Sequence, residues 1–340
     1  YFTTCGWMMW NWLVSGLLLK STIYLYDGSP FFPNPEVLWS YVDKEKVNFM
    51  GVSAKYVDAL SKENINIIDN YKLTELEIIG STGSPLVHES FDYIYTNIKK
   101  DVSVASLSGG TDIVGCFIGG NPMSVVRRGE IQGPILGMDV HVYDDNGLSV
   151  KNKKGELVCT QSFPTMPLYF WNDKNNEKYH DAYFGKYNNV WCHGDYIVKT
   201  ENNGFIIFGR SDATLNPGGV RIGTAEIYRQ VEQIEEVIEG LVIGQIWQGD
   251  TRVVLFVRLS LGVDLKEDLI NKIKTKIKIG ASPRHVPAKI ILVNDIPRTK
   301  SGKIAELAVR DLIHNKEINN KTALANPECL DEYKNIKELS

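Results

Sequence analysis

The first third of the chain alternates between short β-branched or aromatic runs and longer stretches in which apolar residues recur at helical spacing. The pattern predicts strands at 22–26, 47–52, 76–80 and 102–107, and helices at 36–42 and 86–98. Strands that alternate with helices form parallel sheets with covered faces. Ligands of such sheets bind in the loops at the carboxyl ends of the strands. These loops are therefore the first place to look for functional groups.

The pattern changes near residue 129, where shorter strand-like runs are separated by turn signals. The runs are 140–143, 156–159 and 205–208, and Asp-Asn-Gly and Asn-Asn-Gly turns lie between them. This spacing predicts a small antiparallel β layer or barrel.

A second unit is predicted from about residue 210 onwards. It contains a strand pair at 242–247 and 252–259, a helix with an apolar stripe over 265–277, and a strand at 289–293. Asp264 and Glu267 resemble a capping box for that helix. A final helix is predicted to begin after Ser301, and the polar tail beyond residue 315 is expected to be loosely attached.

Composition narrows the class of protein. The 340 residues include 37 Lys and Arg and 41 Asp and Glu, which gives a net charge of −4. This charge argues against an extended surface that binds nucleic acid. The five cysteines form no CxxC pair, which argues against a disulfide framework or a zinc ribbon and favours a reducing, cytosolic compartment. The most apolar segment, 7–19, is shorter than the ~20 residues that a membrane-spanning helix needs.

Several motifs are candidate ligand sites, although each one alone is also typical of an ordinary turn. They are Gly-Ser-Thr-Gly-Ser-Pro at 80–85, Ser-Gly-Gly-Thr-Asp at 108–112, Cys-His-Gly-Asp at 192–195, Gly-Arg-Ser-Asp at 209–212, Gly-Gly-Val-Arg-Ile at 218–222 and Arg-Thr-Lys-Ser-Gly-Lys at 298–303. Small-residue loops bind phosphate through backbone amides, carboxylates bind ribose or Mg²⁺, and Arg or Lys bind anions. No H-E-x-x-H or G-x-S-x-G motif supports a zinc protease or an α/β-hydrolase.

The succession of these motifs resembles the adenylate-forming superfamily of acyl-CoA synthetases, luciferases and peptide-synthetase adenylation domains. Gly-Glu-Leu at 155–157 and Gly-Thr-Ala-Glu-Ile-Tyr at 223–228 extend the resemblance, which is greatest to the synthetases that activate acetoacetate. It implies an α/β fold, with part of the large AMP-binding domain (layered α/β plus a small β subdomain) at 1–210. A small α+β C-terminal lid would follow at 211–340. It also implies two steps: a carboxylate attacks the α-phosphate of ATP, and the thiol of CoA then displaces AMP.

The resemblance implies roles for individual residues. Lys303 would be the catalytic lysine of adenylation, Asp112 (in place of the usual Glu) the Mg²⁺ ligand, and Asp212 the hinge of the lid. The remaining contacts to ATP and CoA are implied for Gly83, Ser84 and Pro85 (adenine), Thr111 (phosphate), Asp195 and Arg210 (ribose), Arg221 (α-phosphate), Gly218 and Gly219 (pantetheine), and Lys278 (the nucleotide end of CoA).

Gly109 bears on the acyl substrate. Similar acetate-specific enzymes carry a Trp at this place, and the loss of an indole leaves room for a longer chain such as acetoacetate. Trp7 and Met8 are expected in the pocket wall, although both residue types are also typical of a core. The expected ligands are thus ATP, Mg²⁺, CoA and acetoacetate, with no nucleic-acid partner.

One family feature is missing: no Gly/Ser/Thr-rich phosphate loop of the form T-S-G-T-T-G-x-P-K occurs in the sequence. The chain is therefore expected to be the C-terminal half of such an enzyme, to expose an apolar face, and to be poorly soluble and nearly inactive alone. Two alternatives stay open. One is a synthetase for another short or branched acid, and the other is a truncated, non-catalytic binding fragment.

Overall fold

The computed structural model of the protein describes residues 1–300, 302–318 and 321–339. These residues form two compact units, Tyr1–Ile206 and Ile207–Ser340. Each unit combines helices with β-sheet, which confirms the predicted α/β class. The assignment of 1–210 and 211–340 to separate functions stays a prediction.

The first unit contains a parallel sheet of three strands in the order β1-β2-β3, which are Phe49–Ser53, Ile78–Thr82 and Ser103–Ser106. Three of the four strands expected from the early alternating pattern are thereby confirmed. The prediction of a strand at 22–26 is wrong, because this segment pairs with no other strand among the described residues. A β-prone run becomes a strand only where a neighbour accepts its backbone hydrogen bonds.

Helices cover this sheet because their apolar residues fall on one side. In Val37–Lys44 (α2), the buried residues Leu38, Trp39 and Val42 lie on one face. The other helices of the unit are Met8–Ser15 (α1), Ala54–Lys62 (α3), Ile67–Asn70 (α4), His88–Tyr93 (α5, followed by the π-helical turn Ile94–Ile98) and Glu177–Tyr183 (α6). Large exposed apolar side chains occur early in this unit: Leu17, Leu18, Leu19, Leu25 and Phe32.

Two antiparallel sheets complete the first unit, as the turn-rich middle of the sequence predicts. The smaller sheet consists of β4, β5 and β6, which are Ser108–Gly110, Gly115–Gly119 and Gly133–Pro134. The larger sheet has the order β10-β9-β8-β7, and its strands β7 to β10 are Val140–Tyr143, Lys154–Cys159, Trp191–Lys199 and Phe205–Arg210. Strand β10 spans the boundary between the units.

The second unit is built on a hairpin of Val237–Trp247 (β11) and Asp250–Leu259 (β12), with Lys289–Leu292 (β13) parallel to β12. Gln248 and Gly249 form the turn with φ of 50° and 83°, because a two-residue type I′ turn needs positive φ at both positions. Its helices are Thr224–Val231 (α7), Glu267–Gly280 (α8) and Glu306–Ile313 (α9). Short 3₁₀ helices occur in the chain at Gly16–Leu19, Pro217–Gly219, Pro283–His285, Lys321–Ala323, Pro327–Tyr333 and Lys337–Leu339.

Three expectations for the second unit are wrong. Helix α8 has Lys266 at its N-cap, so Asp264 does not begin a capping box. The last long helix begins at Glu306 rather than directly after Ser301, a residue that lies outside the described part of the chain. The tail is not loosely attached, since Leu330 and Tyr333 are buried and Tyr333 packs edge-on against Phe256 at 4.9 Å. Single apolar residues among charged ones gave no periodic signal for this packing.

Among the helices described, none combines the length and the apolar character that crossing a bilayer requires.

Candidate nucleotide-binding and catalytic site

Two candidate loops meet at the carboxyl end of the parallel sheet. Gly83, Ser84 and Pro85 follow β2, and Leu107 connects β3 to β4. The Thr82 hydroxyl donates a 2.9 Å hydrogen bond to the carbonyl of Leu107, and the Leu107 N–H donates to the carbonyl of Ser81, also at 2.9 Å. Adjacent parallel strands thus bring the expected adenine and phosphate loops side by side.

Trp7 lies against the first of these loops. Gly83 has a φ of +96°, and a Cβ at this position would lie 3.5 Å from the indole of Trp7. Met8, the first residue of α1, is half-buried. The contact of Trp7 with the loop is therefore part of the structure, whereas a role for Trp7 and Met8 in an acyl pocket stays a prediction.

Asp195 is buried on β9 and faces β4. Its Oδ2 lies 3.5 Å from the Ser108 hydroxyl and 4.0 Å from His193 Nε2. His193 and Asp195 are two positions apart on one strand, so their side chains project from the same face. The sequence marked both residues within one motif, but it assigned no role to the histidine.

Asp112 is held by a residue that the sequence did not mark. It lies with Thr111 in the exposed turn between β4 and β5, and the Tyr183 hydroxyl donates a 2.6 Å hydrogen bond to its Oδ2. Tyr183 in turn stacks on Trp191, with ring centroids 3.7 Å apart and an interplanar angle of 12°. Because 71 positions separate Asp112 from Tyr183, no local motif could reveal this pair.

The carboxylate of Asp112 fits Mg²⁺ that is shared with a nucleotide. Magnesium is commonly bound by one or two carboxylates together with substrate phosphates, and it keeps several waters. Across the described ranges, no group of three or more His, Cys, Asp and Glu side chains is placed to hold a metal ion. A single exposed carboxylate beside a Gly-Gly turn is consistent with that shared binding and not with a metal cage made by the protein alone.

Glu156 of the Gly-Glu-Leu motif organises the neighbourhood of β9. It is buried on β8, and Lys186 Nζ lies 2.7 Å from its Oε1. Burial, and next the Glu156 carboxylate, raises the pKa of the Cys192 thiol to about 11. Cys192 is thus protonated at neutral pH, which argues against a nucleophilic cysteine in this motif.

In the second unit, Arg210 and Asp212 lie together, with Arg210 Nε 3.5 Å from Asp212 Oδ1. Gly218 belongs with Gly219 to the turn Pro217–Gly219, and its N–H donates to both carboxylate oxygens of Asp250 at 3.1 Å. Arg221 is exposed directly after this turn, and Lys278 is exposed in the last turn of α8. These candidates therefore lie on separate elements of the unit.

Lys303 lies on a tight hairpin turn and does not open a helix. The Thr299 N–H donates to the Lys303 carbonyl at 2.8 Å, and the Lys303 N–H donates to the Thr299 hydroxyl at 3.1 Å. Gly302 takes a φ of +82°, which favours glycine. Arg298 at the base of the turn forms an ion pair with Glu239 of β11. The Lys303 side chain thus projects into solvent from an anchored turn.

A comparison with known proteins shows the family. The family model described as AMP-binding enzyme matches residues 1–170. The chain belongs to the AMP-binding enzyme family. The matched range includes the loops at 83–85 and 108–112, whereas Asp195 and the candidates of the second unit lie after it.

Two relatives of this AMP-binding enzyme align with the whole chain. It is 60% identical over 339 residues to acetoacetyl-coenzyme A synthetase of Rhizobium meliloti (strain 1021), covering 100% of this chain and 52% of the relative. It is 45% identical over 341 residues to acetoacetyl-CoA synthetase of Gallus gallus, covering 100% of this chain and 51% of the relative.

A solved structure is also similar. The structure of acetoacetyl-CoA synthetase from Streptomyces lividans matches with a TM-score of 0.91 and 40% identity, covering 98% of this chain and 52% of that chain. The fold is thus that of an adenylate-forming enzyme, as the sequence predicts. The chain spans about half the length of these relatives.

Gly109 is tightly constrained by its own sheet. It pairs with Cys116 across β4 and β5, and a Cβ at position 109 would collide with the Gly115 carbonyl and the Cys116 Cα. We expect Gly109→Ala to lower the free energy of unfolding by about 1–3 kcal/mol, because main chain on both sides has to shift. Chemical denaturation measures this change.

Gly133→Ala is the matched control, since a Cβ at Gly133 in the same sheet would meet nothing within 4 Å. Equal unfolding midpoints for the two variants would contradict the steric argument. In that case, the expected space for an acyl chain would be the better explanation for a glycine at position 109.

Proposed function

We propose that the full-length protein is an AMP-forming acid–thiol ligase that converts acetoacetate, ATP and CoA into acetoacetyl-CoA, AMP and pyrophosphate. The observation that carries this proposal is the 60% identity, over the whole chain, to a relative named acetoacetyl-coenzyme A synthetase. The acetoacetate carboxylate would attack the α-phosphate of ATP with loss of pyrophosphate. The CoA thiol would then attack the acyl carbon and release AMP.

The first unit would seat the nucleotide. Gly83, Ser84 and Pro85 would pack against adenine, and Thr111 would contact the phosphates. This is supported by the hydrogen bonds that join the ends of β2 and β3, from which the two loops start. Asp195 is buried and would accept hydrogen bonds from the ribose hydroxyls, and Arg210 would donate hydrogen bonds to the ribose oxygens. Asp112 would hold Mg²⁺, which neutralises phosphate charge while an anionic carboxylate approaches.

The second unit would supply mobile positive charge and the path for CoA. Lys303 would bridge the carboxylate and the α-phosphate, and Arg221 would contact the same phosphate. Asp212 would be the hinge between the two half-reactions. Gly218 and Gly219 would line the pantetheine tunnel, supported by the bonds from Gly218 to Asp250, and Lys278 would meet the nucleotide end of CoA.

The test is an AMP-release assay on the purified full-length protein with ATP, Mg²⁺ and CoA. Acetoacetate, acetate, propionate and isobutyrate are supplied in parallel, and acetoacetate should give the highest kcat/KM. A higher value with another acid would make the protein a synthetase for that acid. Release of no AMP with any acid would favour the non-catalytic alternative. Residues 1–340 assayed alone should show little or no activity, because the phosphate loop is absent from this sequence.

A further inference from the structure

A charged side chain of α9 holds the main chain at the proposed hinge. Arg310 Nη1 donates a 2.7 Å hydrogen bond to the carbonyl oxygen of Asp212, 98 positions earlier. The other edge of the guanidinium is held by Asp311 Oδ1, at 3.2 Å from Nε and 3.1 Å from Nη2. We propose that Arg310 is a positioning residue that locks the peptide after Asp212 to α9. Rotation at the residues that follow Asp212 is thereby hindered, so the hinge lies no later in the chain than the φ and ψ angles of Asp212. This inference rests on the proposed function, in which Asp212 is the hinge.

The covalent geometry decides which hydrogen bonds a rotation at Asp212 preserves. Each residue has two soft dihedrals, and the peptide group that follows it is planar. Turning either dihedral of Asp212 therefore moves its carbonyl oxygen as one body with Ala213 and the rest of the lid. The bond from Arg310 lies within this moving body and is retained.

Other hydrogen bonds of the turn span Asp212 and have to break on rotation. The Ala213 N–H donates to the Arg210 carbonyl and the Thr214 N–H to the Ser211 carbonyl, both at 3.3 Å. These bonds are long and neutral, whereas the bond from Arg310 is short and charge-assisted. The hydrogen bonds that span Asp212, and that rotation breaks, are thus weak. The hydrogen bond from Arg310, which rotation preserves, is strong.

Helix α9 connects this lock to the catalytic turn. Glu306, one turn before Arg310, is half-buried and accepts a 2.7 Å hydrogen bond from the Tyr228 hydroxyl, which itself accepts from the Val242 N–H at 3.0 Å. Burial raises the pKa of Glu306. Lys303 lies three positions before α9 begins, and the Ala305 N–H donates to the Pro297 carbonyl at 2.9 Å across the base of the turn. A continuous path of hydrogen bonds and helix therefore runs from Asp212 through α9 to the turn of Lys303.

An open pocket lies beside the first residues after the hinge. A pocket of about 170 Å³, open to solvent, lies beside Arg310 and is also lined by Thr214, Asn216 and Thr251. Water can enter such a pocket, so the polar atoms that line it are not fixed by close packing and depend on hydrogen bonds for their position.

Leu215 is buried and exchanges two hydrogen bonds with Ile222, at 2.9 and 2.8 Å, so Ala213 and Thr214 are the residues between Asp212 and this anchor. Without Arg310, the main chain before this anchor loses its link to α9, and Lys303 is delivered less accurately. Adenylation depends on Lys303 in the proposed function and should suffer more than thioester formation.

The test compares Arg310→Gln and Arg310→Lys with the full-length wild type in both half-reactions. Single-turnover release of pyrophosphate measures adenylation, and thioester formation from preformed acetoacetyl-adenylate and CoA measures the second step. We expect Arg310→Gln to slow adenylation roughly tenfold, as for loss of one charge-assisted bond, with a much smaller effect on thioester formation. Arg310→Lys, which keeps a donor, should recover part of the adenylation rate.

The matched control is Arg284→Gln, which removes an exposed guanidinium elsewhere in the same unit. Equal losses in both half-reactions, or no loss in either, would overturn the role of Arg310. If Arg310→Gln does not fold, Asp311→Asn decides, because it loosens the guanidinium without removing it and should produce the same selective loss. Wild-type protein that releases no pyrophosphate would instead refute the proposed function, so the two failures are distinguishable.

Discussion

Lys303→Ala should abolish adenylate formation by the full-length protein and leave thioester formation from preformed acyl-adenylate close to the wild-type rate. The side chain projects from an anchored, exposed turn, so its removal takes away a charge without removing core packing. One preorganised donor to developing charge is typically worth about 10²–10³ in rate. Single-turnover pyrophosphate release and thioester formation, measured separately, check this expectation.

Lys300→Ala is the control for Lys303→Ala, because Lys300 is an exposed lysine of the same turn and its backbone N–H is bonded to the Ala323 carbonyl. It should retain both half-reactions. If Lys303→Ala slowed the two steps equally, the role assigned to Lys303 would be wrong, and a general effect on the lid would replace it.

Asp195→Asn should weaken ATP binding by roughly 10- to 100-fold, because hydrogen bonds to a charged group are worth about 1.5–3 kcal/mol each. A carboxylate accepts from both ribose hydroxyls, whereas an amide presents one acceptor and one donor group. Asp195 is 8% exposed, so little water competes for its oxygens. The KM for ATP at saturating acid and CoA, together with calorimetric binding of ATP, measures the change.

Asp181→Asn provides the comparison for Asp195→Asn, since the Asp181 side chain is 83% exposed. Thermal unfolding of both variants separates lost binding from lost folding, because Asp195 is buried and lies near His193. Unchanged ATP binding by a folded Asp195→Asn protein would remove Asp195 from the nucleotide site.

Some secondary-structure elements could be predicted from the sequence and others could not. Strands β3 and β7 and helix α8 were predictable, because apolar periodicity and flanking turn residues are local signals. The extended run at 22–26 shows the same local preference but no ladder, since pairing depends on a distant neighbour. Tail residues such as Tyr333 pack on Phe256 without any periodic pattern of their own.

The candidate site divides in the same way. Short motifs marked Asp112, Asp195 and Lys303 as candidates, because a loop that binds an anion or a ribose needs particular residue types at close spacing. Their supporting partners carry no such motif. Tyr183 reaches Asp112 from 71 positions away, and Arg310 reaches the Asp212 carbonyl from 98.

By itself, the amino-acid sequence determined the fold class, the succession of loops and the residues that carry charge, since these depend on local patterns along the chain. Only the tertiary structure decided that Lys303 lies on a hairpin turn, that Gly109 faces the main chain of β5, and that α9 holds the carbonyl of Asp212. The physical reason is that side-chain contacts depend on how distant segments pack. That packing is a cooperative property of the folded chain which no short window of residues contains.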